Sequence, residues 1–218
     1  MQLNLPRRQK ILLYTVSSLI FGYVVLSVLV VTVSSSSLDE GVTLRLQRYS
    51  TPGLDRFMEF VSWFASIPGG LTSIGSMAVL FGLYRRWRTV GFLFAPLLVV
   101  PIVSVVKSIF NRARPTADVV RVVRDFNHAS FPSGHVVFYT VLFGFVIYLM
   151  ARSKFLPRAV RVGVGAFCAF LILTVPFSRM YLGAHWFTDV VAGFCLGCLL
   201  LVALVSVYNR VGAPALRA

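Results

Sequence analysis

The chain has 218 residues, of which 57% are hydrophobic and only 13% are charged, and its formal net charge is +14. Soluble domains carry about 25% charged residues, so this composition excludes an ordinary soluble enzyme. It predicts one membrane-embedded domain over residues 1–218. Loops rich in Lys and Arg on the cytoplasmic side of a membrane protein account for the positive charge. Nucleic acid is therefore not an expected partner.

Long apolar runs predict six transmembrane helices and an all-α fold. The first run would reach roughly 35 Å as a helix, and it is longer than the apolar core of a signal peptide, which has about 7–15 residues. The second run is interrupted by Pro68, Gly69 and Gly70, which predict a kink. The six predicted spans cover residues 11–33, 57–84, 89–106, 132–150, 160–177 and 186–208.

Two polar connections lie on one predicted face of the membrane. Residues 38–56 are interpreted as a polar link between the first two spans. Residues 111–131 form the longest polar stretch between spans, and valine pairs at 119–120 and 122–123 lie between arginines. This pattern favours a helix lying in the headgroup layer.

The distribution of charge predicts the orientation of the chain. Both termini and the turns at residues 85–88 and 152–161 contain basic residues and no acidic one, whereas all seven Asp and Glu lie on the other side. Cytoplasmic loops are enriched in Lys and Arg. We therefore expect cytoplasmic termini, and an outward-facing site in the plasma membrane.

Three cationic side chains near span ends indicate a phosphate site. A phosphate monoester carries about −1.5 to −2 charges at neutral pH, and phosphoryl transfer depends mainly on positioned positive groups. Lys107, Arg114 and Arg179 come from distant parts of the chain but from the same predicted face, so they are predicted to bind phosphate. Arg112 and Arg121 are interpreted instead as interfacial anchors.

The segment from Pro132 to His135 adds backbone donors. Proline suits the first turn of a helix, and the N–H groups that follow it would point from the positive end of the helix towards an anion. Gly134 would let the backbone approach the ligand, and the Ser133 hydroxyl would add a donor. The fourth span is therefore predicted to begin with a phosphate cradle.

Two histidines complete the predicted chemistry. His185 and Asp189 are four residues apart, so on a helix they share one face, and the carboxylate would orient the imidazole for attack on phosphorus. His135 is the predicted general acid for the leaving group, and then the base for water. His128 is interpreted as a loop residue near the substrate. With one carboxylate in the clusters, we expect no metal and no cofactor.

Small residues on the sixth span have a structural interpretation. Cys195 and Cys198 are predicted to pack within the membrane rather than to bind a metal. Gly193 and Gly197 form a G-x-x-x-G pattern, which allows close helix approach within the bundle or in a dimer. Monomer and homodimer both stay open.

The three clusters together resemble the signature of the type 2 phosphatidic acid phosphatase superfamily. The pattern reads Lys, six residues, Arg-Pro at 107–115; Pro-Ser-Gly-His at 132–135; and Ser-Arg, five residues, His, three residues, Asp at 178–189. The resemblance implies a six-helix core and a phosphohistidine on His185, with His135 as the acid and Asp189 orienting the nucleophile. It implies that phosphate is held by Lys107, Arg114, Ser133, Gly134 and Arg179.

The family resemblance also implies a lipid phosphate as substrate, in a protein surrounded by membrane lipids. Undecaprenyl diphosphate, phosphatidylglycerophosphate and phosphatidic acid are the candidates. A lipid or sugar phosphotransferase with the same intermediate is an alternative, and it would need an acceptor hydroxyl instead of water. A non-catalytic lipid-phosphate binding or transport protein is a third class, and it would tolerate loss of the nucleophile.

Overall fold

The computed structural model describes residues 6–33, 37–123 and 128–211, and within those ranges the chain is helical, with turns and no strand. The prediction of an all-α membrane protein is confirmed. The helices are α1 (Arg7–Thr32), α2 (Ser37–Gln47), α3 (Pro52–Trp63), α4 (Ile67–Leu83), α5 (Trp87–Leu93), a 3₁₀ turn (Ala95–Leu98), α6 (Val99–Phe110), α7 (Gly134–Arg152), α8 (Arg158–Tyr181) and α9 (Phe187–Val211).

Five helical segments in the described ranges are long and apolar enough to cross a membrane, and a bent pair brings the number to six. α5, the 3₁₀ turn and α6 together form one such segment, Trp87–Phe110. The bent pair consists of α3 and α4, which meet at an angle of 57°. The chain is therefore a multi-pass membrane protein.

The bend between α3 and α4 comes before the proline and glycines that predicted it. α3 ends at Trp63, and Pro68 lies in the first turn of α4, where a proline lacks no hydrogen bond. The Ser66 side chain caps α4 by accepting from the Gly69 N–H at 3.2 Å. A Cβ at Gly69 would lie 2.2 Å from the Trp63 carbonyl oxygen, so the tight turn requires glycine there.

α7 is the central helix of the bundle. In its most apolar 18-residue stretch 67% of the residues are buried, against 6% for α1. α7 packs against α8 and α9, and α1 packs on the outside of α9. Gly193 and Gly197 face α7, since a Cβ at Gly197 would lie 2.7 Å from Cβ of Thr140. The G-x-x-x-G pattern therefore acts within the bundle.

Residues 38–56, interpreted as a polar link, contain most of α2 and the start of α3. α2 buries Asp39, Thr43 and Gln47. Residues four positions apart lie on one helical face, so α2 directs a polar stripe into the protein. Helix prediction from apolar periodicity fails here because the buried stripe is polar.

The described part of the loop between α6 and α7 contains no helix, so the predicted valine-rich interfacial helix is not found there. Gln47 donates to the Arg121 carbonyl at 2.7 Å and accepts from the Arg121 N–H at 3.0 Å. Val123 N–H donates to the Leu182 carbonyl at 3.1 Å. These bonds use backbone groups that a helix would need. Residues 124–127 of this predicted segment lie outside the described residues.

Candidate active site

The three sequence clusters meet at one end of the bundle. Each lies where a helix begins or ends on the same side: Lys107 in the last turn of α6, Ser133, Gly134 and His135 at the start of α7, Arg179 in the last turn of α8, and Asp189 in the first turn of α9. The connections between these helices add Arg114 and His185 to the same end. Residues up to 82 positions apart in the sequence, such as 107 and 189, thus share one site.

His185 lies at the centre of this arrangement and is only 2% exposed. Its Nε2 atom is 3.5 Å from Nη1 of Arg114. Its Nδ1 atom is 3.5 Å from the Ser130 hydroxyl oxygen and 3.6 Å from Oδ2 of Asp189. One ring nitrogen therefore faces a cation, and the other faces a carboxylate and a hydroxyl.

Nδ1 of His185 lies 3.6 Å from Oδ2 of Asp189, which is longer than a hydrogen bond. His185 precedes α9, which begins at Phe187, so the two residues do not share a helical face as expected. Asp189 Oδ2 instead accepts from the Trp186 N–H at 2.9 Å and from the Ser130 hydroxyl. An acidic side chain at the third helical position that accepts from the capping residue forms half of a capping box.

Loop carbonyl groups position two of the predicted phosphate-binding cations. Lys107 Nζ donates to the carbonyl oxygens of Ala129 and Ser130, the latter at 3.3 Å. Arg114 donates from Nε to the His128 carbonyl and from Nη1 to the Ala184 carbonyl, both at 2.6 Å. The segment before α7 thus holds both cations beside His185.

The third cation, Arg179, is held by α3. It is 3% exposed, and its Nη1 donates to the Ser62 hydroxyl at 2.9 Å. The Ser62 and Ser178 hydroxyls are hydrogen-bonded at 2.6 Å, and Ser178 donates to the Met58 carbonyl at 2.6 Å. The serine before the motif arginine therefore fixes the last turn of α8 to α3.

These cations change the titration of His185. Burial lowers its pKa well below the ordinary value of 6.5, and the charges of Arg114, Arg179 and Lys107 lower it further. The imidazole is therefore neutral at physiological pH, which is the form that has a free lone pair. His135 lies within electrostatic range of His185 and of the same cations.

The start of α7 matches the predicted cradle only in part. α7 begins at Gly134, and the Ser133 N–H donates to the Asp189 carbonyl at 3.0 Å, so this N–H does not face an anion as expected. The Ser133 hydroxyl is fully buried and makes no hydrogen bond within the described residues. The first N–H groups of a helix have no intrahelical acceptor. Gly134 and His135 therefore supply N–H donors in the first turn.

The interpretation of Arg112 as an interfacial anchor is wrong. Arg112 is 4% exposed and donates to Asp189 Oδ1 at 2.5 Å and to Asp39 Oδ2 at 2.8 Å. Arg121 is also paired rather than only anchored, since it makes two bonds to Asp55, at 3.0 and 2.6 Å. A cation beside two buried carboxylates is stabilised in the protein interior, which removes the reason for it to extend to the membrane surface.

Two cavities reach the site. The first has a volume of about 670 Å³, and its wall combines apolar residues of α4, the 3₁₀ turn and α6 with Lys107, Arg114 and His128 at one end. The second, of about 620 Å³, is lined by Arg179, with Arg56 and Glu59 also on its wall. His135 borders both cavities. The loop residue His128 thus lies beside the cavity, as expected for a position near a substrate.

No three His, Cys, Asp or Glu side chains are grouped to hold a metal ion in the ranges that the structure describes. Cys195 and Cys198 are both free thiols on α9.

Sequence reasoning missed five residues that contact the site: Asp39, Ser62, Arg112, Ser130 and Thr188. Arg112 is two positions before the motif Arg114 and could have been considered with it. Asp39 gave a weaker signal, namely the four-residue spacing of polar residues along α2. Ser130 and Thr188 carried no signal, because isolated hydroxyl residues are common at helix starts.

Comparison with known proteins supports one family. The profile of the PAP2 superfamily matches residues 88–213. Phosphatidylglycerophosphatase B of Bacillus subtilis (strain 168) is 26% identical over 210 residues, which cover 91% of this chain and 96% of that protein.

Two solved structures share the fold. The crystal structure of a transmembrane PAP2-type phosphatidylglycerolphosphate phosphatase from Bacillus subtilis has a TM-score of 0.79 at 23% identity, covering 93% of this chain and all of the other. The crystal structure of Aquifex aeolicus LpxE has a TM-score of 0.61 at 18% identity, covering 80% of this chain and 98% of the other. The chain therefore belongs to the PAP2 superfamily, and it is a membrane-embedded phosphatase.

Proposed function

We propose that this protein hydrolyses a phosphate group from a membrane lipid through a phosphohistidine on His185, without a metal ion. The observation that carries the proposal is the environment of His185. One ring nitrogen lies 3.5 Å from the guanidinium of Arg114, and the other faces Asp189 and Ser130. A carboxylate near Nδ1 favours the proton there, which leaves the lone pair on Nε2. That lone pair points to the cationic side, where a phosphate would lie.

In the proposed first step, Nε2 of His185 attacks phosphorus, and the bond from phosphorus to the leaving oxygen breaks. His135, protonated beside the bound phosphate dianion, donates this proton from its imidazolium to that oxygen and becomes neutral, so the alcohol or phosphate leaves in its protonated form. Lys107, Arg114 and Arg179 stabilise the charge on the phosphoryl oxygens. The hydroxyl of Ser133 and the N–H groups in the first turn of α7 add neutral donors.

In the proposed second step, water attacks the phosphohistidine. His135 accepts a proton from the water, the bond between phosphorus and Nε2 breaks, and orthophosphate is released with His185 again neutral. The lowered pKa of His185 favours this step too, since a weakly basic imidazole is a better leaving group. Each proton that His135 donates in the first step is thus recovered in the second.

The first cavity supports a lipid as the substrate. Its apolar wall on α4 and α6 would contact hydrocarbon chains, while Lys107 and Arg114 would contact the phosphate. The curated relative is named phosphatidylglycerophosphatase B, which puts phosphatidylglycerophosphate first among our candidates. Undecaprenyl diphosphate and phosphatidic acid offer the same combination of phosphate and apolar chains. The charge distribution supports a plasma-membrane location with the site facing outward.

The test is orthophosphate release by the purified protein in detergent, with each of the three lipids and with a chelator present. We expect release from at least one lipid, no loss in the chelator, and no activity for His185→Ala. His128→Ala, which changes an exposed histidine at the edge of the cavity, is the matched control and should stay active. An active His185→Ala would overturn the nucleophile, and inhibition by the chelator would overturn the metal-free mechanism.

A labelling experiment tests the intermediate separately. After rapid denaturation, wild-type protein incubated with radiolabelled substrate should carry an acid-labile, alkali-stable label, and His185→Ala should carry none. Release of orthophosphate without any added alcohol acceptor distinguishes hydrolysis from phosphotransfer to an alcohol. Tight binding of the lipid by wild-type protein without turnover would instead support the binding or transport protein.

A further inference from the structure

We propose that Asp39 and Arg112 are positioning residues for this reaction, which hold Asp189 in the orientation that faces His185. The inference rests on the proposed function of His185, and it adds a helix, α2, that none of the three sequence clusters includes. Asp39, Arg112 and Asp189 are 0%, 4% and 0% exposed. They form a continuous chain of contacts from α2 to the imidazole.

Arg112 joins two carboxylates that come from opposite ends of the sequence. Its Nη2 lies 2.8 Å from Asp39 Oδ2, and its Nη1 lies 2.5 Å from Asp189 Oδ1. The planar guanidinium presents its donors in a fixed geometry, which a lysine ammonium does not. The position of Asp39 therefore sets the direction in which Arg112 donates to Asp189.

Asp39 also binds the start of α9 directly. Its Oδ1 accepts from the Thr188 N–H at 2.8 Å and from the Thr188 hydroxyl at 3.0 Å. The same hydroxyl accepts from Arg112 Nη1 at 2.7 Å. A carboxylate at the N-terminus of a helix interacts favourably with its dipole. Asp39 thus caps α9 from another helix, one residue before Asp189.

The two oxygens of Asp189 have different partners. Oδ1 accepts from Arg112, while Oδ2 accepts from Ser130 and Trp186 and faces Nδ1 of His185. Rotation of the carboxylate would break contacts on both sides at once. Because Arg112 holds one oxygen, the other stays directed at the imidazole. This is the orientation that fixes the tautomer in the proposed mechanism.

Charge supports the same role. The carboxylates of Asp39 and Asp189 share the positive charge of Arg112. Arg112 therefore neutralises only part of the charge of Asp189, and negative charge remains on the side that faces His185. Without the Asp39 charge, Arg112 would lose one carboxylate partner and keep Asp189. The carboxylate would then interact more with Arg112 and less with the imidazole.

A double-mutant cycle tests this coupling, with Asp39→Asn, Asp189→Asn and the double variant. Asp39→Asn keeps the size of the side chain and removes its charge. We expect kcat to fall by about 10- to 100-fold, as for a small misplacement of a catalytic group. KM and the inhibition constant of inorganic phosphate should stay near wild type, because Lys107, Arg114 and Arg179 are unchanged.

The decisive result is the double variant. If Asp39 acts through Asp189, adding Asp39→Asn to Asp189→Asn should cause no further fall in kcat. Asp55→Asn is the matched control, since Asp55 pairs with Arg121 at the surface. It should leave kcat close to wild type, and its effect should multiply with that of Asp189→Asn.

Arg112→Lys is a second, independent variant. A point charge cannot reproduce the two-sided contact, so its kcat should fall as in Asp39→Asn, again with inorganic phosphate inhibition retained as a sign of a folded site. Multiplying effects of Asp39→Asn and Asp189→Asn would overturn the inference, as would unchanged kcat in Asp39→Asn. Absence of any phosphate release by wild type would instead contradict the proposed function itself.

Discussion

Gly134 begins α7 and lines the first cavity, where we propose that the phosphate lies. A Cβ at this position would lie 3.4 Å from Cγ1 of Val103, which is an ordinary contact. The protein itself therefore does not require glycine there. Both residues line the first cavity, so the space beside Gly134 is available to a ligand.

We predict that Gly134→Ala folds normally but transfers phosphate more slowly. The methyl group would keep phosphate away from the N–H groups of α7, and a misplacement of this size lowers the rate by about 10- to 100-fold. The measurement combines the thermal unfolding midpoint in detergent with kcat/KM. Gly165→Ala on α8, where a Cβ meets nothing within 4 Å, is the control. Wild-type kcat/KM in Gly134→Ala would show that phosphate does not approach this backbone.

The charge of Arg114 should affect how kcat/KM depends on pH. The neutral imidazole of His185 is the reactive form, and the lowered pKa keeps it neutral at lower pH. Replacing Arg114 by Gln removes a positive charge 3.5 Å from Nε2. The pKa of His185 should therefore rise, and the acidic limb of the kcat/KM profile should move to higher pH.

The pH profiles of wild type and Arg114→Gln are compared with the same substrate. The second pKa of its phosphate, about 6, affects both profiles equally. A difference between the two acidic limbs therefore reports the change in the pKa of His185. Arg121→Gln removes a surface cation outside the site and should keep the wild-type limb. A limb that stays in place in Arg114→Gln would mean that His185 is not the titrating group.

At the scale of elements, α2 fixes the loop between α6 and α7. Gln47 is the last residue of α2, and its side chain makes three bonds to backbone groups of Arg121 and Tyr181. Two of these bonds require the amide N–H₂ group. A short polar helix thus joins the loop before α7 to the end of α8.

Gln47→Glu should destabilise the protein by about 1–3 kcal/mol, because a glutamate cannot donate to the carbonyl groups of Arg121 and Tyr181, the second of which is buried. The free energy of unfolding in detergent measures this loss. Gln9→Glu, on an exposed position of α1, makes the same chemical change without buried partners and should have no effect. Equal stabilities of the two variants would contradict the role of Gln47.

At the scale of the whole molecule, close packing of α7 and α9 brings the two histidines together. α7 carries His135 at its start, and α9 follows His185 directly. Gly193 lies against Ser133, since a Cβ there would be 2.9 Å from the Ser133 carbonyl oxygen. The small residues of α9 thus set the distance between the two halves of the site.

Gly197→Ala should therefore lower stability by about 1–3 kcal/mol, as overpacking of a tight interface does. Its Cβ would lie 2.7 Å from Cβ of Thr140, one turn deeper than the site. The thermal unfolding midpoint in detergent is the measurement. Gly163→Ala on α8, which meets nothing within 4 Å, should not lower the midpoint. A midpoint for Gly197→Ala equal to that of Gly163→Ala would contradict the packing argument.

The class of the protein and its motif residues could be read from the amino-acid order. Apolar runs long enough to cross a bilayer leave few alternatives to helices, because backbone groups in lipid must bond within their own segment. Basic and histidine residues at the ends of such runs are unusual enough to be recognised individually, and the motif spacings identified the family.

The contacts of Asp39 and Arg112 with Asp189 and the start of α9 could not be read from the order of residues. Asp39 and Arg112 are 73 positions apart, and Arg112 and Asp189 are 77 positions apart, with no local pattern linking them. Whether a polar side chain is buried depends on which helices pack beside it, and a carboxylate is retained in the interior only where a partner is present. For that reason the shared helical face of His185 and Asp189 and the anchoring role of Arg112 were predicted wrongly, and only the packed helices decided them.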